Sequence, residues 1–170
     1  MSRVYVIADL HFGHEKVAQM RGFASAAEHD AALVEAWNRV VLKRDVVYVL
    51  GDVFRTERVP ELRGVKKLAP GNHDTRSMSH YVELFSKIQS YFEFDGCLLS
   101  HIPVNPSQFA RWELNVHGHT HARSLPDPRF LSVSVEQCPN LEPVLLGRVI
   151  AQRRAECLKS GVALCRRGPA

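Results

Sequence analysis

The histidines are the feature of this sequence that most directly indicates chemistry. Of the nine present, seven lie in or beside short polar clusters that follow apolar segments: His11, His14, His73, His101, His117, His119 and His121. Asp9 and His11 are separated by one residue, and His119 and His121 repeat that spacing. If a strand continues through such a pair, both side chains project to one side of it. Because a carboxylate beside an imidazole is a common pair of metal ligands, this spacing predicts a metal site.

Further oxygen and nitrogen ligands follow other apolar segments. Asp52 comes directly after Gly51 at the end of one of them and offers two carboxylate oxygens. The complete candidate set has seven members: Asp9, His11, Asp52, Asn72, His101, His119 and His121. This set exceeds what one tetrahedral zinc needs, and its lack of thiolate is unlike a structural zinc site. Two divalent cations that share Asp52 fit better, and in two-metal hydrolytic sites such cations lie about 3.5 to 4 Å apart.

Three predicted strands must position these clusters. Residues 4–8 and 46–50 are apolar runs typical of buried strands, residues 65–69 are predicted as a third strand, and each strand ends in a polar cluster. Between the first two, Ser25 and Glu28 form a capping box that begins a helix through residue 42. The sequence therefore predicts a βαβ unit with parallel strands and a right-handed crossover. Ligands of such sheets collect at the carboxyl ends of the strands, where the polar clusters fall.

The second half of the chain has a different pattern. Asp95-Gly96 is a strong hairpin signal between apolar runs. We expect an antiparallel second half with helices over residues 79–86 and from Pro143 to about residue 158. The strands predicted there are residues 88–94, 97–100, 113–116 and 130–135.

Composition places the chain among ordinary globular proteins. The 170 residues are 45% hydrophobic and 24% charged, which excludes collagen-like, low-complexity and broadly disordered chains. We expect one domain over residues 1–158 and a basic segment over residues 159–170. The formal net charge of +4 is uneven, because six basic residues and one acid lie from residue 144 onward. Such a segment can attract phosphate polymers, although a short charged end is more often a solvated one.

The cysteines and the N-terminus predict the compartment. The four cysteines form no C-x-x-C pair, and the sequence carries no leader for an oxidising compartment, so we expect reduced thiols. The apolar run at residues 4–8 is too short for a signal peptide or a membrane span. We therefore expect a cytoplasmic protein without a membrane partner.

Five motifs in order along the first 135 or so residues make the sequence resemble the calcineurin-like metallophosphoesterases. Each motif alone is weak, but the ordered set is specific. The motifs are Asp9-x-His11, Gly51-Asp52, Gly71-Asn72-His73-Asp74, Ser100-His101 and Gly118-His119-Thr120-His121. The stretch from Asp9 to His14 is similar to the small bacterial, archaeal and phage branch of these phosphoesterases.

The sequence also departs from some relatives. Asp52 is followed by Val-Phe-Arg, where protein serine/threonine phosphatases and symmetric dinucleoside tetraphosphatases carry Asp-Arg-Gly. His73 stands where lipid A pathway hydrolases of this superfamily typically have Arg. Both differences argue against those substrates.

The resemblance implies a fold, a cofactor and a reaction. The fold is α/β (α+β), a two-sheet β-sandwich flanked by helices. The cofactor is a pair of divalent cations, with Mn²⁺ favoured and Fe²⁺ or Zn²⁺ as alternatives. The reaction is hydrolysis of phosphomonoesters or phosphodiesters by direct attack of a hydroxide that bridges the cations. The implied ligands are Asp9, His11 and His121 for one cation, Asn72, His101 and His119 for the other, and Asp52 between them.

Residues beside the ligands are candidates for catalysis and substrate binding. The resemblance implies that His73 is the catalytic acid. Asp74 is a second catalytic candidate, although an Asn-His-Asp run in a turn can merely bond nearby backbone. His14 and Arg76 are candidates for binding substrate phosphate, His14 because of its place beside the ligands and Arg76 because a guanidinium can hold phosphate with two hydrogen bonds.

Two alternatives to a small-molecule phosphoesterase stay open. A nuclease would keep the same cations and use the basic C-terminal segment to hold nucleic-acid ends, which predicts strong salt dependence. A non-catalytic scaffold would keep the metal site for stability or docking, but it would have no use for an acid at His73. The expected partner is a small phosphorylated substrate or nucleotide, with nucleic acid as the alternative, and the sequence predicts no oligomeric state.

Overall fold

A computed structural model describes residues 2–165 of the chain. Two β-sheets face each other, and helices flank them. The strands are β1 (Val4–Ile7), β2 (Val46–Val49), β3 (Val65–Leu68), β4 (Lys87–Ile88), β5 (Tyr91–Phe94), β6 (Cys97–Ser100), β7 (Asn115–His117), β8 (Phe130–Ser132) and β9 (Val144–Leu145). The α-helices are α1 (Glu15–Met20), α2 (Ala26–Val40), α3 (Met78–Val82) and α4 (Leu146–Lys159). Short 3₁₀ helices span Val59–Glu61, Pro106–Ala110, Val135–Gln137 and Pro139–Leu141. This architecture confirms the expected two-sheet fold.

The first sheet has the strand order β4-β3-β2-β1-β9. Strands β1 to β4 are parallel to their neighbours, and only β9 runs antiparallel, against β1. The second sheet has the order β5-β6-β7-β8. Its β5 and β6 form the antiparallel hairpin predicted at Asp95-Gly96, whereas β6, β7 and β8 are parallel to one another.

Alternate residues of β1 reach two different hydrophobic clusters. Ile7 packs with Leu33 and Trp37 of α2 on the outer face of the first sheet. Val6 packs with Leu99 and other residues of the second sheet, so the second cluster fills the space between the sheets. Burial on both faces explains why β1 is a continuous apolar run rather than an alternating one.

Pairing register brings the strand ends together. In the first sheet Ile7 lies opposite Val49, and Val49 lies opposite Leu68. In the second sheet Ser100 lies opposite His117 and His117 opposite Ser132. The loops that follow β1, β2, β3, β6 and β7 therefore leave their strands side by side within each sheet, as expected for a ligand site of parallel strands.

The prediction of an antiparallel second half was wrong except for the β5/β6 hairpin. Parallel neighbours need a long connection that returns the chain to the same end of the sheet. Residues 101–114 and 118–129 supply two such connections. The sequence predicts Pro-containing loops in these segments, and a loop alone does not determine the direction of the strands that it joins.

Several boundaries also differ from the sequence prediction. Residues 88–94 do not form one strand, because β4 belongs to the first sheet and β5 to the second. The helix predicted over residues 79–86 is limited to α3. Pro143 does not begin a helix: Val144 pairs with Val6 in β9, and α4 begins at Leu146.

The capping box is confirmed with one change. Ser25 Oγ accepts a hydrogen bond from the backbone N–H of Glu28 at 3.1 Å, and α2 begins at the next residue, Ala26. The Glu28 carboxylate in turn accepts from the N–H of Ala24 at 2.9 Å rather than from that of Ser25.

The end of the chain lies partly outside the described residues. Helix α4 ends at Lys159, and the predicted basic segment includes Arg166 and Arg167, which fall in the undescribed residues 166–170. The division at residue 158 therefore stays a prediction. Within residues 2–165, no helix combines the length and the apolar character that crossing a membrane requires. The four cysteines, all of them in this range, are unpaired.

Candidate metal centre

The first group of candidate ligands joins the two sheets. Asp9 and His11 follow β1, and His121 follows β7. Their ligand atoms all lie within 4.8 Å of one another. Asp9 and His11 are buried, whereas His121 is half-buried. This is one of the two ligand groups that the sequence predicted.

The second group is built in the same way. Asp52 follows β2, and His101 and His119 follow β6 and β7, with their ligand atoms also within 4.8 Å of one another. Asn72, after β3, joins them because its Oδ1 lies 3.0 Å from His101 Nε2. All seven predicted ligands are thus brought to one end of the two sheets.

Asp52 lies between the two groups. Its Oδ2 is 3.4 Å from Nε2 of His11, and its Oδ1 is 3.5 Å from Nε2 of His101. Each carboxylate oxygen therefore faces a histidine of a different group. This is the arrangement that a carboxylate shared by two cations requires.

Five of the seven ligands have left-handed backbone. The φ angles are 60° at Asp9, 49° at His11, 53° at Asp52, 68° at His119 and 52° at His121. Asp and His tolerate this region better than most residues, but each such residue still costs of order 1 to 3 kcal/mol. The premise that strands continue through the Asp-x-His and His-x-His pairs was wrong, because β1 ends at Ile7 and β7 at His117. Sharp turns aim these side chains instead.

The glycines of the motifs make room for the ligands. A Cβ placed on Gly51 would lie 2.6 Å from Nδ1 of His101, and one on Gly118 would lie 2.8 Å from Oδ2 of Asp9. A Cβ on Gly71 would overlap the carboxylate of Asp52. Each glycine that precedes a ligand thus permits close approach by a ligand from another loop.

The residues present fit a pair of divalent cations. Both ring nitrogens of His11 are buried and have no hydrogen-bond partner among residues 2–165. A buried polar atom without a partner is costly, and a cation would supply the missing partner. Burial lowers the pKa of His11 to about 2, which keeps the ring neutral as ligation requires. Burial also raises the pKa of Asp9, although the neighbouring Ser134, His101 and His121 oppose this shift. A cation beside Asp9 would favour its carboxylate form.

Partners behind the imidazoles fix which nitrogen faces the centre. His101 Nδ1 lies 2.8 Å from the carbonyl oxygen of Leu50, and His121 Nδ1 lies 2.8 Å from Oε1 of Glu136. A carbonyl only accepts, so Nδ1 of His101 carries the proton and Nε2 is free to ligate. Sequence reasoning missed Glu136, because nothing in its local pattern distinguishes it from an ordinary exposed acid.

His73 lies beside the centre on the solvent side. It is exposed, and its ring centroid is 5.1 Å from that of His11. Its backbone N–H donates to Oδ1 of Asp52 at 2.8 Å. The carboxylate between the two groups therefore also holds the backbone of the residue predicted to be the catalytic acid.

Asp74 braces the loops that carry two ligands. Its Oδ1 accepts from the N–H groups of Val53 at 2.9 Å and Phe54 at 3.2 Å, and its Oδ2 accepts from that of Gly71 at 2.9 Å. Burial raises its pKa, against the effect of these hydrogen bonds. The carboxylate is engaged by backbone on both oxygens, which is the alternative that the sequence left open for this residue.

The other predicted contacts have local roles. His14 caps α1, its Nδ1 accepting from the N–H of Val17 at 3.4 Å, and its ring centroid is 5.5 Å from that of His11. Arg76 is exposed, with Nη2 3.8 Å from Oε1 of the equally exposed Glu57. Such a pair contributes little to stability, so Arg76 is free to meet a ligand. His117 is buried in β7 rather than in the ligand set, and burial lowers its pKa to about 4.

Comparison with known proteins gives a family and a fold. The model of the calcineurin-like phosphoesterase family matches residues 2–137. The Gene 66 protein of Mycobacterium phage D29 is 31% identical over 186 aligned positions, which cover 85% of this chain and 93% of the phage protein. An uncharacterized protein of Methanocaldococcus jannaschii is 31% identical over 171 positions, covering 88% and 90% of the two chains. The crystal structure of a protein of unknown function from Aquifex aeolicus shares the fold, with a TM-score of 0.71 and 24% identity over 89% of this chain and 99% of its own.

Proposed function

The chain belongs to the calcineurin-like phosphoesterase family, and from that premise we propose that it hydrolyses phosphomonoesters or phosphodiesters at a centre of two divalent cations. The observation that carries the proposal is the position of Asp52. Its two oxygens face His11 on one side and His101 on the other, at 3.4 and 3.5 Å. A site for one cation would have no use for a carboxylate shared in this way.

The proposed division of the ligands between the two cations is the one that the family resemblance implies. Asp9, His11 and His121 would hold the first, and Asn72, His101 and His119 the second, with Asp52 between them. Bound cations of this kind polarise phosphoryl oxygens and lower the pKa of water to about 7. Imidazole, carboxylate and amide ligands suit Mn²⁺, Fe²⁺ and Zn²⁺ alike, and we favour Mn²⁺ because of the family resemblance.

His73 is the proposed donor of a proton to the departing oxygen. The hydrogen bond from its N–H to Asp52 fixes its backbone relative to the ligands, while its exposed ring is free to meet substrate. A positioned acid contributes about 10² to 10⁴ in rate, with the larger effect on esters whose leaving group is a poor one. His14 and Phe54 lie on the same side, their ring centroids each 6.2 Å from that of His73, and could contact the leaving group.

The substrate side of the centre is open. Asn72, His73 and His119 are all exposed, although each lies against a buried ligand. An open site accepts small phosphorylated molecules of varied shape. We therefore propose a small phosphoester or nucleotide as the substrate, with Arg76 and His14 as groups that bind its phosphate.

Arg154, one of the six basic residues from residue 144 onward, offers the nuclease alternative little support. Arg154 donates to Asp95 at 2.7 Å and to Glu113 at 2.7 Å, so its charge is already paired. Asp95 lies in the hairpin turn before β6, whereas His101 follows β6 at its other end. Arg154 is thus both neutralised and remote from the ligands.

Hydrolysis assays of the metal-reconstituted protein test the proposal. Bis(p-nitrophenyl) phosphate, mononucleotides, cyclic nucleotides and short oligonucleotides would be compared for the wild type and Asp52→Asn. We expect hydrolysis by the wild type and a loss of at least about 100-fold in the variant, because even partners of metal ligands are worth 10- to 100-fold. Asp127→Asn, which changes a carboxylate paired with Arg129, is the matched control and should keep full activity. Full activity of Asp52→Asn, or no hydrolysis by protein that has bound two cations, would overturn the proposal.

A further inference from the structure

A network of charged side chains, built around the buried Arg21, lies behind the first group of ligands. His121 Nδ1 is 2.8 Å from Oε1 of Glu136, and the same oxygen accepts from Nε of Arg21 at 2.9 Å. Glu136 belongs to the 3₁₀ helix after β8, and Arg21 ends α1. A ligand on one loop is thereby tied to a helix that is about a hundred residues away in sequence.

Arg21 also holds the loop that carries the other two ligands of that group. Its Nη2 donates to the carbonyl oxygen of Asp9 at 2.7 Å, and its Nη1 donates to that of Leu10 at 3.2 Å. The guanidinium is almost fully buried, with 4% of the side chain exposed. One planar group therefore contacts the Asp9 loop on one side and the partner of His121 on the other.

Two further residues complete the surroundings of Arg21. His29 Nε2 lies 2.9 Å from its Nη1, and His29 Nδ1 lies 3.0 Å from Oδ1 of Asp30. Burying an arginine is costly unless its donors are satisfied. These contacts, together with Glu136 and the two carbonyls, satisfy most of the five guanidinium N–H groups.

The second group of ligands has no arginine–glutamate pair behind its imidazoles among the described residues, and Asp74 braces its loops through backbone N–H groups alone. His101 is held by the backbone carbonyl of Leu50 at 2.8 Å, and Asn72 is held by His101. Neutral backbone, rather than a charged pair, orients its principal imidazole. His101 and His121 are thus oriented by different parts of the fold.

We propose, building on the function proposed above, that Arg21 and Glu136 are positioning residues that sustain the first cation site alone. Glu136 holds His121 in the tautomer that presents Nε2 and makes it a better donor. Arg21 positions both Glu136 and the Asp9 backbone by donating a hydrogen bond to each. Loss of either residue is expected to weaken the first cation and leave the second bound.

Calorimetric titration of the metal-free protein with Mn²⁺ tests this without measuring turnover. We expect Glu136→Ala to bind the first cation 10- to 100-fold more weakly, the usual cost of losing the partner of a ligand, and the second within about twofold of the wild type. His121→Ala identifies which of the two binding events belongs to the first site. Arg21→Gln should reproduce the effect of Glu136→Ala.

A matched control and a conservative variant guard against a merely structural effect. Glu142→Ala removes a similar long-range ion pair, in which Arg39 Nε lies 2.7 Å from Glu142 Oε1, and should leave both affinities unchanged. Glu136→Gln keeps an acceptor for Nδ1–H and should recover part of the lost affinity. If Glu136→Ala does not fold, Glu136→Gln tests the inference in its place. The thermal unfolding and the Mn²⁺ titration of Glu136→Gln would then be compared with those of Glu142→Ala.

The outcomes separate this inference from the proposed function. Wild-type affinity for both cations in Glu136→Ala, or an equal loss at both sites, would overturn the inference while hydrolysis by the wild type still stood. If the wild type binds two cations but hydrolyses no ester, the proposed function is overturned. The inference about Arg21 and Glu136 would still be tested by the Mn²⁺ titrations. A wild-type protein that binds fewer than two cations would overturn both.

Discussion

Replacement of Asp74 by Ala separates a structural role from a catalytic one. The change removes the acceptor of three backbone hydrogen bonds, from Val53, Phe54 and Gly71. Hydrogen bonds to a charged group contribute about 1.5 to 3 kcal/mol each, but water can satisfy part of this half-buried site. We therefore expect the free energy of unfolding to fall by about 3 to 5 kcal/mol.

The expected loss is large enough to measure by thermal unfolding. For a chain of this size, each kcal/mol lowers the melting temperature by about 2 to 4 °C, so Asp74→Ala should melt about 6 to 20 °C below the wild type. Asp74→Asn keeps one acceptor oxygen, so its melting temperature should lie between those of Asp74→Ala and the wild type. Glu57→Ala, which removes an exposed carboxylate nearby, serves as the control and should melt with the wild type.

Cation binding and turnover complete the test of Asp74. Because its two oxygens hold the loops of Asp52 and Asn72, a bracing role predicts that Asp74→Ala loses Mn²⁺ affinity and stability together. A variant with the melting temperature and Mn²⁺ affinity of the wild type, but without turnover, would refute the bracing interpretation. It would make Asp74 a catalytic residue instead.

Two further predictions concern a proton donor and the acid dependence of stability. His73→Asn should bind two cations normally and lose about 10²- to 10⁴-fold in kcat on an alkyl ester, with a smaller loss on an aryl ester, and full activity on the alkyl ester would contradict its role. Burial alone would raise the pKa of Asp45, but N–H donors from Arg3 and Leu42 outweigh it and hold this pKa below 3.8. A carboxyl group whose pKa is lowered in the folded protein stabilises the fold at pH values above its unfolded pKa. In urea unfolding, the wild type should therefore be more stable than Asp45→Asn by the full amount at pH 7. This difference should disappear as the pH falls through the pKa of Asp45 in the folded protein. An excess that does not change between pH 7 and pH 2 would contradict this assignment.

Asp9, Asp52 and Asn72 could be predicted from sequence because each lies within a few residues of the end of a predicted strand. Tyr5 to Ile7 are buried, so the polar residue that follows their strand lies at the edge of the sheet. The same reasoning placed Asp52 and Asn72. The motif order then added His101, His119 and His121, and the structure brings all seven together.

The remaining features depend on contacts between distant segments. Arg21 and Glu136 are 115 positions apart, and no local pattern marks either as part of the site. The direction of β7 and β8 depends on how residues 101–114 and 118–129 return across the sheet, which periodicity does not encode. The left-handed turns at the ligands arise because tertiary packing overrides the local preference of the backbone.

The candidate ligands come from both sheets, so a cation bound by them would link one sheet to the other. Asp9, His11, Asp52 and Asn72 belong to loops of the first sheet, and His101, His119 and His121 to loops of the second. Besides the shared apolar core, the main chain crosses between the sheets where Ala8 N–H donates to Val133 O at 2.9 Å and Val135 N–H donates to Ala8 O at 3.1 Å. A cation bound by residues of both sheets would bind only after the sheets have assembled, and at 100 times its dissociation constant it would add about 2.7 kcal/mol to the assembled state. Removal of the cations by a chelator would accordingly loosen this end of the two sheets first.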